Sequence, residues 1–252
     1  MYDLIFVFVL SIFSFVTIFC NFAQWILDVG NGKLSEPNDG YASIEIPYQF
    51  LIINYDDPIH AIVTSTYPNL LHEYLNEDFL HCRAILASTI ETIDEINDYV
   101  LSLLQGEERE YLSSNSVDKS ESIDNEALEG LTHEFLNSLR TTGLPNHKIK
   151  LKTGTPIMLL RNLDQGEGLC NETRMIVSRL ANHVIEAKIM TGQSLASVGL
   201  YQPRPVFSHG QLFVAFSRVQ SMEVLKVLIH DKEGKLSNTT TNVVFKEVFQ
   251  NL

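Results

Sequence analysis

Apolar and polar positions recur along this chain at two different periods, and the change falls near Lys148. Before it the pattern is mostly helical. Phe22, Trp25, Ile26 and Val29 fall on one face of a predicted helix over 22–29, and Gly30-Asn31-Gly32 ends it. Residues 35–50 read as a turn region leading into a strand over Ala42–Pro47. Cys82–Ala87 is a short apolar strand. It feeds a helix whose Ser88-x-x-Glu91 start has the form of a capping box, with Ile93, Asn97, Val100 and Leu104 at helical spacing. Strand followed by helix is one unit of an open α/β sheet. The polar, acidic stretch Gly106–Glu126 reads as a solvated loop. A further helix carries Leu128, Leu131, Phe135 and Leu139 on one face, and Gly143 and Pro145 stop it.

From Lys148 the period is two. Ile149 and Leu151 alternate with lysines, Pro156–Arg161 is a buried strand candidate, and strands are predicted over Thr173–Leu180 and Val184–Met190. Four short strands separated by turn signals suggest a small β-barrel or a meander. Ser208-x-x-Gln211 opens a last helix with Leu212, Ala215 and Val219 inward, and Val224–Ile229 closes as a buried strand. The fold class is α/β.

Charge divides the chain in the same way. The net charge of −13 argues against indiscriminate nucleic-acid binding. Yet residues 1–139 carry 4 Lys/Arg against 23 Asp/Glu, whereas residues 140–226 carry 11 against 5. A phosphate-facing surface therefore belongs in the second half, or that half simply has a basic face. Lys148, Lys150 and Lys152 share one side of an alternating strand, about 6–7 Å apart. Such a row suits a phosphate track and equally suits an exposed strand face. The three cysteines, Cys20, Cys82 and Cys170, form no C-x-x-C pair, so neither a zinc ribbon nor a disulfide framework is indicated and buried free thiols are expected.

Leu4–Cys20 carries no charge over 17 residues. That length can span a thin bilayer. A signal-peptide core and a leader foreign to the rest of the chain are the other two readings, since a basic flank and a small-residue cleavage site are both missing.

Several catalytic patterns fail on their spacing. Gly32-Lys33 is followed by Leu34 where a phosphate-cradling loop needs Ser or Thr, and no G-x-x-x-x-G-K-[ST] string occurs in the 252 residues. HEYLN at His72 and HEFLN at His133 place Asn76 and Asn137 where a zinc protease needs its second histidine, so solvated helix residues are expected there. The serine-hydrolase elbow G-x-S-x-G is absent. Asn171-Glu172-Thr173 and Asn238-Thr239-Thr240 are glycosylation sequons, relevant only to an exported chain.

Three blocks carry a resemblance. RAILASTIETIDEIN (83–97) is similar to a strand-to-helix motif that usually reads R-x-I-L-x-P-T-N, with Thr89 kept, Ser88 in place of proline and Ile90 in place of asparagine. LKTGTPIMLLRNLDQGEGLCNETR (151–174) and SHGQLFVAFSRV (208–219) are similar to the segments that follow it. Together, from about Phe22 to Ile229, they resemble the C-terminal motor portion of the petite integration frequency (Pif) family of ATP-dependent 5'–3' DNA helicases, above all its Helitron-transposon type.

That resemblance implies an incomplete second RecA-like domain, of the P-loop NTPase type, with a small β-barrel insertion. The implied organisation is a leader over 1–21, a motor-core remnant over 22–140, the barrel over 141–190, the end of the RecA-like domain over 191–230 and a tail over 231–252. It implies that Arg218 is an arginine finger reaching a γ-phosphate, with Gln211 beside it in the motif. It places Thr89, Lys148, Lys150, Lys152, Arg161, Asn162, Gln193 and Ser194 along single-stranded DNA. Between Met190 and Ser194 the family carries further strands, and this chain passes directly into GQSL. ATP and Mg2+ are the implied cofactors, and no part of the chain is expected to bind them alone. A separate chain bearing the ATP-binding half is an implied partner. DNA repair, recombination, telomere maintenance or Helitron transposition is the implied setting, and a nuclear location goes with it unless Leu4–Cys20 anchors the chain in a membrane; the alternatives are a non-catalytic module that binds single-stranded nucleic acid or a partner, and a membrane-tethered helicase relic.

Overall fold

In a computed structural model the described residues are 20–34, 40–113, 132–139, 146–190, 195–205, 208–219 and 222–245. They fall into two units, one from residues 1–73, 78–100 and 192–252, the other from 74–77 and 101–191. Leu4–Phe19 lies outside the described residues, and among the described ones no helix is long and apolar enough to cross a membrane.

The first unit is built on a parallel sheet in the order β2 (Arg83–Ala87), β8 (Ser197–Gln202), β9 (Leu225–Ile229). Parallel neighbours require crossover connections. β8 is central, and from Val198 to Gln202 it is buried, as expected of a strand covered on both faces. Its alternate residues serve two layers. Val198 and Leu200 join a core with Phe22, Val29, Phe50, Leu212, Phe216 and Val227. Gly199 turns the other way, against the helix Pro58–Thr66, so closely that a Cβ there would overlap Thr66 Oγ1 and meet Ile62. That helix starts at Asp57, whose carboxylate accepts from His60 N at 2.6 Å, with Pro58 at its first position.

Residues 20–30 are helical. Phe22 and Val29 are buried, Trp25 and Ile26 pack against the same core, and Trp25 sits 4.9 Å from the Phe216 ring. An antiparallel pair, β1 (Tyr41–Glu45) with β10 (Thr239–Val243), completes the unit. Asn242 on β10 donates to Val29 O, and Thr240 donates to Gln202 Oε1.

The second unit holds two small antiparallel sheets. β3 (Arg109–Leu112) pairs with β4 (Lys148–Leu151), and β6 (Arg174–Leu180) lies between β5 (Pro156–Met158) and β7 (Ile185–Ile189). The strands of the two sheets do not pair with each other, so among the described residues no barrel closes. Tyr111 Oη donates to Ala181 O, and Arg109 Nη1 donates to Asn182 Oδ1, which ties β3 to the β6–β7 turn through side chains.

Four expectations are corrected. The acidic stretch from Gly106 contains β3, which forms a ladder with β4; Glu110 within it and Glu108 just before it meet Lys148 and Lys150. The helix Ile90–Leu103 buries Thr92, Ile96 and Leu101, and then Leu104 beyond its end, whereas Ile93 is 42% exposed. Its cap is Thr89, whose Oγ1 accepts from Thr92 N at 3.3 Å, so the start lies one residue later than Ser88-x-x-Glu91 suggests. The cysteines are not buried: Cys20 is exposed, and Cys82 and Cys170 are half-buried.

Candidate nucleic-acid interface

Lys148, Lys150 and Lys152 emerge from and just beyond β4, as the period-two pattern requires. None has a free ammonium group. Lys148 ion-pairs with Glu110 and Lys150 lies 3.7 Å from Glu108, both carboxylates coming from the β3 side. Lys152 Nζ donates to Leu104 O at 2.9 Å. Lys148 and Lys150 and their partners are about half-exposed, so each pair contributes about 0–1 kcal/mol and exchanges readily with water or a competing anion. Leu151, between Lys150 and Lys152, is buried and anchors the strand.

The loop joining β5 to β6 holds Arg161 and Asn162. Its shape comes from its own polar groups. Asp164 Oδ1 accepts from Gly166 N and Glu167 N, Asn162 Oδ1 accepts from Asn171 N at 2.7 Å, and Thr173 Oγ1 accepts from Cys170 N while donating to Gly168 O. Asn162 therefore shapes the turn. Arg161 is exposed, and its guanidinium has no hydrogen bond or ion pair among the described residues. Arg179 is in the same state. It sits where a register shift in β6 breaks the alternation after Val177, so simple alternation does not single it out. Beside β3 an open cleft of about 530 Å³ is lined by Glu108, Arg109, Glu110, Tyr111, Ala181, Asn182 and His183. Its two carboxylates make it unfavourable for phosphate.

Thr89, Gln211 and Arg218 lie in the first unit. Thr89 is a helix cap. The Gln211 side chain folds back on its own turn, where Oε1 accepts from Ser208 N at 3.0 Å. Gly210, in left-handed backbone at φ 71, precedes the helix Gln211–Ser217. Arg218 ends that helix with an exposed guanidinium that no described residue pairs. Gln193 and Ser194 lie outside the described residues.

A nucleotide with its metal needs a cradle of backbone N–H groups, a lysine and metal-binding carboxylates. Arg218 offers one charge to a phosphate. Among the described residues no group of three or more His, Cys, Asp or Glu is arranged to hold a metal ion. These residues do not by themselves fit a nucleotide.

Another cluster lies at the carboxyl ends of the parallel strands. Tyr55 Oη is 2.6 Å from His230 Nε2, and the Tyr201 ring stands edge-on to His230. Burial pushes the Tyr201 hydroxyl up to about 12, with Tyr55, Glu95 and Asp57 adding to the shift, and burial lowers the His230 imidazole despite the nearby Asp231. Burial thus favours the neutral form of both groups.

Residues 134–180 match the family model described as the 2B domain of the DNA helicase Pif1. That segment contains β4, β5, β6 and the loop of Arg161 and Asn162. Helicase structures are similar as well. Pif1 helicase from Candida albicans is 15% identical, with 73% of this chain and 56% of that chain covered and a TM-score of 0.45. Unliganded Pif1 from Bacteroides sp is 13% identical, with 92% and 53% covered and a TM-score of 0.43. Bacteroides Pif1 in complex with ADP-AlF3 and ssDNA is 12% identical, with 83% and 56% covered and a TM-score of 0.38. The chain thus spans about half the length of these solved helicases. No curated protein matches it. The described residues form a mixed α/β protein. Within it, residues 134–180 are similar to the 2B domain of a Pif1 DNA helicase.

Proposed function

We propose that this chain is the C-terminal part of an ATP-dependent 5'–3' DNA helicase and contributes single-strand grip and an arginine finger to the motor. The observation that carries the reading is the match of residues 134–180 to the Pif1 2B domain. The exposed, unpaired guanidiniums of Arg161, Arg179 and Arg218 agree with it. Lys148 and Lys150 meet the phosphates of single-stranded DNA, and Lys152 adds positive potential from its backbone anchor. Thr89, Asn162, Gln193 and Ser194 contribute by resemblance. The region 141–190 plays the part of the barrel insertion, although among the described residues its strands do not close.

Arg218 acts on a γ-phosphate only when the ATP-binding half presents one, from the same polypeptide beyond these residues or from a separate chain. A finger stabilises charge developing during phosphoryl transfer and does nothing without its substrate. The 252 residues alone are expected to bind single-stranded DNA weakly and to hydrolyse no ATP. Fluorescence anisotropy with labelled oligothymidine tests the first part, and Lys148, Lys150 and Lys152 changed together to Glu should abolish the signal. Phosphate release by malachite green tests the second; DNA-stimulated turnover by this chain alone would overturn it. Work in DNA repair, recombination, telomere maintenance or Helitron transposition, in the nucleus, belongs to the same proposal.

A further inference from the structure

The row of lysines is covered from within. β3 and β4 pair so that Glu110 lies directly opposite Lys150, and Leu112 directly opposite Lys148. The Glu110 carboxylate nevertheless reaches diagonally to Lys148, and Lys150 is approached by Glu108, two residues earlier and just outside the strand. Two carboxylates thus occupy the Lys148 and Lys150 ammonium groups of β4. The four side chains are 41–50% exposed, so the pairs are open to exchange. Lys152, held by Leu104 O, has no carboxylate partner among the described residues.

We propose that Glu108 and Glu110 are built-in competitors for the β4 lysines, so that a single strand binds there only by displacing them. This rests on the reading of β4 as a DNA contact and adds a specificity device to it. An isolated phosphate exchanges one anion for another with little gain. A polynucleotide replaces both carboxylates together and is favoured through its connected charges. The exchange also changes the salt response. Each phosphate still releases its condensed counterion, but each displaced carboxylate takes a cation up, so binding depends on salt less steeply than the number of lysines suggests.

The test compares the wild-type chain with E108Q/E110Q by anisotropy, using fluorescein-labelled oligothymidine over a range of salt concentrations. Glutamine keeps size and hydrogen bonding at exposed positions, and a thermal melt establishes that the variant is folded. A charge-matched control, D56N/D98N, removes two exposed carboxylates of the first unit. The double variant should bind about 3- to 10-fold more tightly at low salt. Its log–log salt slope should be steeper by about 1.4, from two contacts at about 0.7 each on a single strand. Restoring wild-type affinity by adding K148Q/K150Q would tie the gain to the uncovered lysines. Equal affinity and slope, or an equal gain in the control, overturns the competitor role and leaves the DNA-binding reading in place. Failure of wild type and variant alike to bind at low salt overturns that reading, and the competitor role with it.

Discussion

Thr66 and Gly199 meet across the interface between the helix Pro58–Thr66 and the central strand β8, with no room for a side chain on the strand. Thr66 Oγ1 is held in place by its own bond to Ile62 O at 2.8 Å, and Ile62 lines the same contact. Gly199→Ala should destabilise the chain by about 1–3 kcal/mol, since overpacking forces a shift of helix or sheet. Urea unfolding measures this. Thr66→Ala in the Gly199→Ala background should recover part of the loss.

His230 supplies a pH dependence. Its folded-state pKa is lowered, mainly by burial. The contribution is therefore fully present above the ordinary value of about 6.5 and is lost as pH falls through the lowered folded-state value, because the unfolded chain binds the proton more readily. The carboxylate of Asp231 is held below its usual range mainly by the backbone N–H of Lys235, so it titrates at more acid pH. Melting temperatures measured downward from pH 7.5 should fall, and His230→Gln should flatten that fall.

Tyr201 gives the alkaline counterpart. Its hydroxyl is raised to about 12, so its contribution is present below the ordinary value of about 10 and is lost as pH rises toward 12. Ultraviolet titration should show one phenol ionising well after the exposed tyrosines. Tyr201→Phe should remove that late step.

Thr89 caps a helix, and Ser88 does not. Thr89→Ala should cost about 1 kcal/mol. Ser88 Oγ is buried without a partner, so Ser88→Ala should be neutral or stabilising. Paired urea curves decide between the two positions.

Arg218 is exposed and no described residue pairs its guanidinium. Arg218→Ala should change stability by less than about 0.5 kcal/mol. If the ATP-binding half is supplied, the same change should remove most of the stimulated phosphate release. A large loss of stability without a loss of turnover would assign the residue to the fold instead.

The sequence by itself determined the elements whose faces repeat clearly. These are the helix around Phe22–Val29, the strands near 83–87, 148–151, 174–180, 185–189 and 225–229, and the helix that Gln211 opens. Spacing accounts for the buried Phe22 and Val29 and for Leu212, Ala215 and Val219, but not for Ile149, Ile185 and Ile189, which are exposed; the charge asymmetry of the sequence located the basic half. The helix Pro58–Thr66 was not legible in the sequence, because its buried residues Ala61, Ile62 and Val63 are contiguous and give no clean periodicity. Only tertiary structure decided the rest. β3 is a strand because β4 offers it a backbone ladder and the Ala181–Asn182 turn takes the Tyr111 and Arg109 side chains, partners that lie far off in the sequence. β10 pairs with β1 across almost the whole chain, which no local pattern encodes. The state of the lysines was settled in the same way, because a cation is free or masked according to what the fold sets beside it, and Coulomb attraction depends on distance in space and not on spacing in sequence.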